Sequence, residues 1–496
     1  MAEEVNAGGT SEKSNAKPVA LMDKIVWDGK MVRDESQLQY ARELVSEYAI
    51  QVLEQGMTVG KDTVVAGILE QIAKIDETIS TQLNEVMHDP EFQKVEASWR
   101  GLHYLVMNTE TGVKLKLRLL NVTKDELTSD LEKATEFDQS VLFKRIYEDE
   151  YGTFGGSPYS VLIGDFEFGR HPQDMATLEK TSNVAAAAHA PFIAAASPKL
   201  FDMASFTELG IPRDLAKGFE TAELIKWRSF RESEDSRYVA LALPHVLLRL
   251  PYGPDTVPVE GFNFVEDVDG KDHSKYLWGN AAYALGQRIT NAFALYQWCA
   301  AIRGVEGGGL IEGLPAHTFK TDMGDVALKC PTEIAITDRR EKELSDLGFI
   351  AICHRKGTDQ AAFFGGQTTN KPKKYNTNEA NANSRISAQL PYMLAASRFA
   401  HYIKVIMRDK VGSFMTRGNV EDYLNTWIAD YVLLDDNAPQ TVKASYPLRQ
   451  ARVDVSEMPG KPGCYKAVVF LRPHFQLDEL TASIRLVAEL PPPAAA

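Results

Sequence analysis

The sequence is poor in cysteine, has no basic excess and contains no long apolar run. Only four cysteines occur in 496 residues. Cys299, Cys330, Cys353 and Cys464 form no CxxC pair, and their spacing fits no common zinc pattern. A disulfide framework is excluded, and free thiols in a reducing compartment are expected. Asp and Glu (68) outnumber Lys and Arg (54), for a net charge of −14. Nucleic-acid binders neutralise phosphates with a basic excess, so a general nucleic-acid role is not expected. No stretch of about 18 apolar residues occurs, which argues against membrane insertion. Met1 to Asn15 lacks the basic and apolar regions of a signal peptide, so a cytoplasmic protein is expected.

Motifs for chemistry are equally scarce. Gly304 to Gly309 is glycine-rich, but no Lys-Ser or Lys-Thr follows to complete a phosphate loop. Neither HExxH nor GxSxG occurs. His189 and His245 sit singly in apolar surroundings, where a histidine is usually a hydrogen-bonded core residue. Asp165 and Glu167 form a pair of carboxylates at a strand end. They are the only place where an enzyme reading, by metal or by acid and base, finds a foothold. No catalytic group, cofactor or metal is expected.

What the sequence does contain is a mixed α/β pattern. Residues 1–18 are small and polar and read as an arm. An apolar island follows at 19–28, in which Leu21, Met22, Ile25 and Val26 share one helical face, while Lys24 to Trp27 also suits a short strand. Helices are expected over 36–58, Lys61 to Met87 and Pro90 to Val106. The second carries Ile68, Ile72, Ile75, Ile79, Leu83 and Val86 on one face. Val113 to Val122 alternates apolar with basic residues, as a strand with one wet face does. Thr123 with Glu126 predicts a capping box. Strands at 159–168 and 191–196, separated by an Ala-rich helix, suggest an α/β sheet. Residues 239–250 are apolar and run into a PYGP turn; short strands are expected at 333–336 and 349–352, and a long helix at 276–302. The block Trp227 to Arg237 is dense in both charge signs, which suits a solvated face or, with Trp227 and Phe230, a protein interface. A helix from 384 to 407 is interrupted or restarted at Pro391. Strands at 451–455 and 465–471 flank a Pro/Gly turn. In the last strand, 483–490, Ile484, Leu486, Ala488 and Leu490 alternate with Ser483, Arg485, Val487 and Glu489. It is either an ordinary sheet edge or a strand that completes another subunit's sheet.

Several long blocks, in order, resemble the large subunit of the type VI secretion contractile sheath (the TssC/VipB family). They include EASWRGLHYLV (Glu96 to Val106), YGTFGGSPYSVLIGDFEF (Tyr151 to Phe168), KWRSFRESEDSRYVALALPHVLLRLPY (Lys226 to Tyr252), PTEIAITDRREKELSDLGFIAI (Pro331 to Ile352) and QLPYMLAASRFAHYIKVIMRDKVGS (Gln389 to Ser413). The resemblance runs from about Asp34 to Leu490. It implies a non-enzymatic protein that pairs with a small sheath subunit (TssB/VipA-like) and polymerises helically with its own copies around an Hcp-like inner tube. Baseplate components and a ClpV-type AAA+ ATPase are the other implied partners. A single-chain sheath protein of a phage-like contractile injection particle is the alternative.

The resemblance also suggests roles for particular residues. Lys24, Ile25, Val26 and Trp27, with Ile484, Leu486, Ala488 and Leu490, are expected to exchange strands between subunits. Leu21, Met22, Ile25 and Val26 are candidates for unfoldase recognition. Lys404, Arg408 and Lys410 are candidates for inner-tube contact. The expected organisation is an arm at 1–33, a helical region pairing with the small subunit at 34–110, and an inner domain from 111–215 plus 385–490. An insertion domain at 216–384 and a tail at 491–496 complete it.

Overall fold

The computed structural model describes residues 21–28, 30–54, 61–321, 323–413, 416–459 and 464–476. It divides into two units. One holds the chain up to Leu83 with Val259–Val265, and the other holds the remainder.

In the first unit the island forms helix α1 (Leu21–Asp28), followed by α2 (Leu38–Glu54) and α3 (Lys61–Met87). Of the two readings left open for 24–27, the helix is the one this chain adopts. Val26, Val32 and Ala41 are buried together against Leu38 and Val45. Asp23 and Arg42 form an ion pair between α1 and α2. Asp34 accepts from the Ser36 amide at the start of the turn that leads into α2.

The second unit is built on one sheet. Helices α4 (Pro90–Met107) and α5 (Lys124–Lys133) precede strand β1 (Leu162–Phe168), helix α6 (Pro172–Ala188) and strand β2 (Phe192–Ala196). Helix α7 (Ile225–Glu232), strand β3 (Val239–Leu243) and helix α8 (Ala281–Tyr296) follow. Then come β4 (Leu310–Ile311), α9 (Asp338–Asp346), β5 (Ile350–His354) and β6 (Ala361–Phe363). Strand order is β1-β2-β3-β5-β6-β4. The first four strands are parallel, and β6 runs antiparallel to both its neighbours. Every residue of β2 (FIAAA) and β3 (VALAL) is buried, as expected for parallel strands covered on both faces. Trp227 of α7 stacks on Phe349 at 5.6 Å in the core on one face. Helix α8 covers the other face.

Small residues set the spacing of that second layer. A Cβ on Gly101 of α4 would lie 2.4 Å from the Tyr283 ring of α8, and one on Gly286 would lie 2.5 Å from Ile163. The buried Arg249 fixes α4 from its other side, bridging Glu96 and Glu266 at 2.8 and 2.6 Å.

The C-terminal part contains α10 (Leu390–Lys410), α11 (Arg417–Ala429) and a hairpin of β7 (Leu448–Glu457) and β8 (Tyr465–Pro473). Pro391 stands in the first turn of α10 and starts the helix; its missing N–H is harmless there. Trp298 stacks on Phe399 at 4.4 Å within this cluster. Asn425 accepts from the Val453 amide and donates to the Val453 carbonyl, so a side chain does the work of a neighbouring strand.

Four expectations are corrected. Residues 216–384 are not an insertion separate from 111–215, because β3 and β5 lie inside the same sheet as β1 and β2. Parallel strands need long crossovers, and in sequence such crossovers look like inserted matter. Residues 333–336 form no strand. Trp227, Phe230 and Arg231 are core residues rather than a surface; Arg231 donates to the carbonyls of Thr369 and Asp346. Val113 to Val122 forms no strand: it bends at 113–114, the rest is irregular, and no strand pairs with it among the described residues.

Gly101→Val is expected to lower stability by about 1–3 kcal/mol, the usual penalty for overpacking a tight contact. Thermal unfolding of the single chain would measure it. A wild-type midpoint would show that α4 can move away from Tyr283 freely.

Candidate assembly interfaces

An edge strand carries a row of backbone donors and acceptors that need partners. β1 is such an edge, with β2 on one side and no strand on the other among the described residues. Residues of β1, of α4 and of the segment 113–122 line a groove of about 2240 Å³.

That segment is held at its start and at its middle. Lys114 Nζ donates to Gln297 Oε1 at 3.2 Å, and Arg118 pairs with Glu150 and donates to the Tyr159 hydroxyl. Between these anchors Leu115 and Leu117 are half-buried while Lys114, Lys116 and Arg118 face water. Leu119 is 69% exposed, and Trp99 of α4, on the groove wall, is 66% exposed. The alternation seen in sequence is therefore that of a segment with no neighbouring strand among the described residues. The groove has two walls that can hydrogen-bond or pack against an inserted chain segment, and a basic rim.

Helix α3 offers a second surface. Ile68, Ile72, Ile75 and Ile79 are 38–56% exposed. Steps of three and four residues put them on one stripe, the spacing with which one helix packs on another. Apolar surface kept in contact with water in this arrangement marks a binding face.

The carboxylates considered for chemistry are accounted for within the fold. Glu167 Oε1 lies 2.9 Å from His245 Nε2, and Glu333 Oε2 lies 2.5 Å from His245 Nδ1. Glu333 also accepts from Ser205 and from the Phe206 amide. Burial alone would push the His245 imidazole down, but the hydrogen bonds to both carboxylates outweigh it and push it up to about 10. The same pairing holds Glu167 and Glu333 below the usual carboxylate range despite their burial. Asp165 accepts from the Asn280 side chain that caps α8. No group of three or more His, Cys, Asp and Glu suited to a metal occurs among the described residues. The cluster is an ion-paired clamp across the carboxyl ends of β1 and β3. Sequence reading named Glu167 and His245 separately. Their meeting, and the part of Glu333, were hidden because 78 and 88 residues separate the partners.

The other expected sites are placed unevenly. Lys24 is exposed, Val26 is buried and Trp27 is 42% exposed, all within α1, which also contains Leu21, Met22 and Ile25. Ile484, Leu486, Ala488 and Leu490 lie outside the described residues. Lys404 sits over the Tyr151 ring at 3.3 Å, Arg408 donates to the carbonyls of Tyr151 and Thr153, and Lys410 lies over Tyr423. A tube contact through these three would have to compete with partners inside the chain.

Residues 69–370 match the family described as EvpB/VC_A0108, tail sheath N-terminal domain, and residues 379–490 match its tail sheath gpW/gp25-like domain. Type VI secretion system sheath protein TssC1 of Pseudomonas aeruginosa is 50% identical over 465 residues, covering 93% of each chain. A chain from the anti-feeding prophage baseplate aligns at a TM-score of 0.36 and 11% identity, over 75% of this chain and 83% of that one. A chain of the contracted anti-feeding prophage sheath aligns at 0.31 and 11%, over 62% and 66%. Likeness that slight adds nothing to the sequence matches.

The clamp makes a pH prediction. An imidazole whose pKa rises from about 6.5 to about 10 on folding contributes stability that is complete below the lower value and lost as pH rises through the upper one. The two carboxylates act oppositely, losing their contribution as pH falls below about 4.5. Stability should therefore decline from pH 6.5 to 10. His245→Gln should flatten that decline and cost about 3 kcal/mol at pH 6, since it strands a buried Glu333. Denaturant melts at a series of pH values would test both; equal slopes in the two proteins would refute the clamp.

Proposed function

This chain belongs to the EvpB/VC_A0108 family of tail-sheath proteins, and we propose from that premise that it works as the large structural subunit of a type VI contractile sheath. The observation that carries the mechanical part of the reading is the open edge of β1 and a groove lined by β1 and by segment 113–122, which pairs with no strand among the described residues. The chain also presents an apolar stripe on α3.

The occupant we assign to both surfaces is the small sheath subunit. An extended segment of it would lie along β1, where each new backbone hydrogen bond contributes roughly 0.5–1.5 kcal/mol. The basic rim of Lys114, Lys116 and Arg118 favours acidic residues on that segment. A helix of the small subunit would cover Ile68, Ile72, Ile75 and Ile79. The pair would then polymerise around an Hcp-like tube, with strand exchange through 24–27 and 484–490 linking neighbours. Exchange through 24–27 requires α1 to unwind. A ClpV-type ATPase would recycle the contracted polymer through Leu21, Met22, Ile25 and Val26, which α1 would have to release because Val26 is buried. Hydrolysis has no place in this role, and assembly in the cytoplasm follows from it. No helix among the described residues is long and apolar enough to cross a membrane.

Co-expression with the small subunit, followed by electron microscopy, tests the reading. Tubes that need both chains are expected. Tubes from this chain alone would favour the single-chain injection particle instead. The double substitution Ile72→Asp, Ile79→Asp should reduce co-purification of the small subunit more than tenfold. It should leave the thermal midpoint of the lone chain unchanged, because both side chains are already exposed. Undiminished co-purification would remove α3 from the interface. Deleting residues 1–28 should abolish polymerisation and spare the heterodimer; normal filaments from that truncation would exclude the arm from strand exchange.

A further inference from the structure

Helix α10 faces two ways. Phe399, Tyr402, Ile403 and Ile406 join the cluster that holds the β7–β8 hairpin. His401, Lys404 and Arg408, at steps of three and four residues, turn to the carboxyl end of α6 and to the helical segment Lys144–Tyr151. His401 is 1% exposed, and its Nε2 lies 2.8 Å from the Ala188 carbonyl. A carbonyl can only accept, so Nε2 carries a proton. Nδ1 is buried with no hydrogen-bond partner; an orphan lone pair is tolerated more readily than an orphan N–H. His189, which ends α6 with a φ of 50°, stands beside it, with ring centroids 6.3 Å apart. Its Nδ1 is 3.1 Å from the Tyr238 hydroxyl. Tyr151 packs on both imidazoles, at 6.0 and 5.3 Å. The charges that act on the two rings are positive. From α10 come Arg398 and Lys404, and Lys404 reaches both rings. Arg408 is taken up by the carbonyls of Tyr151 and Thr153. The segment Lys144–Tyr151 contributes Tyr147 and Tyr151, and the turn before β3 contributes Tyr238, on which Asp235 and Arg237 act. Among the described residues no carboxylate pairs with either imidazole. Burial, with these cations, pushes the His401 ring down to about 4 against the lift of the Ala188 carbonyl, and burial with Lys404 lowers His189.

We propose that the seat of α10 on α6 is a proton-sensitive joint, locked while His401 is neutral and released when acid charges it. Protonation puts a hydrogen on Nδ1, where no acceptor faces it, and sets a buried cation beside Lys404 and Arg398. The carboxyl end of α6 favours a cation, but it already takes the Nε2 hydrogen of the neutral ring. α10 then lifts from Ala188 with the hairpin it carries, while the sheet stays folded. An imidazole held down in the seated state and ordinary once released stabilises the seat fully above about pH 6.5, and that contribution is lost as pH falls toward about 4. The release equilibrium therefore rises by up to about tenfold for each pH unit in that window. The inference rests on this joint and does not depend on the sheath role.

The test is hydrogen exchange of the full native chain at about pH 7.5 and about pH 5, read by mass spectrometry and corrected for the intrinsic pH dependence of exchange. The lower pH stays above the range in which Glu167 and Glu333 of the clamp protonate. The opening constant of peptides within Leu390–Lys410 is expected to rise about thirtyfold between the two, with β2 and β3 unchanged. His401→Gln can still donate to the Ala188 carbonyl but cannot charge, and should abolish the rise. Lys404→Met removes the neighbouring cation and should leave a smaller rise than the wild type shows. An α10 that opens equally at both pH values overturns the joint. So does a rise undiminished in His401→Gln, or one shared in full by β2 and β3. Should His401→Gln fail to fold, the wild-type contrast between α10 and the sheet decides together with Lys404→Met, where an undiminished rise also overturns the proposal.

Discussion

Backbone hydrogen bonding at the outer side of β1 is the constraint around which this molecule is arranged. A parallel sheet has to end somewhere, and its last strand leaves donors and acceptors for something else to satisfy. At the other end the sheet is finished by the short antiparallel strands β6 and β4. At the β1 end no further strand follows among the described residues. The segment best patterned to do so, 113–122, pairs with no strand there and lines the same groove, held by Lys114 and Arg118. The fold is stable where it is closed and receptive where it is not.

The charged clamp on His245 explains how such an open edge is kept in shape. β1 has one ordered neighbour, so its position would depend on β2 alone. Glu167 at its carboxyl end ties it through His245 to the segment that follows β3, and through Glu333 to the chain that leads into α9. Lys124, at the start of α5, adds a bond to the Glu167 carbonyl and an ion pair with Asp174. Ionic pairs of this sort are weak evidence for net stability, but they fix geometry. Here they fix the strand that an incoming chain has to match.

Much of this was legible in the sequence, and the exceptions share a cause. The bounds of α3 and α4, the Thr123–Glu126 capping box and the restart at Pro391 were all readable because they depend on neighbours within one or two turns. The sheet's membership was not, since β3 and β5 lie far along the chain from β1. The block around Trp227 misled because its charges suggested a surface, whereas Arg231 satisfies buried carbonyls of the 346 and 369 loops. The interface was half legible. Alternation at 113–122 and the stripe on α3 were visible as patterns, but sequence periodicity cannot say whether a patterned face meets its own chain or another.

An open edge beside an apolar groove also bears on supply. A copy made without its counterpart is an orphan whose most adhesive backbone is on display, and the nearest available strand is that of another orphan. Excess of this chain over the other would thus be a hazard and not a reserve. A cell using it gains by making the two chains together and in proportion, so that each newly made edge is covered before it meets its like.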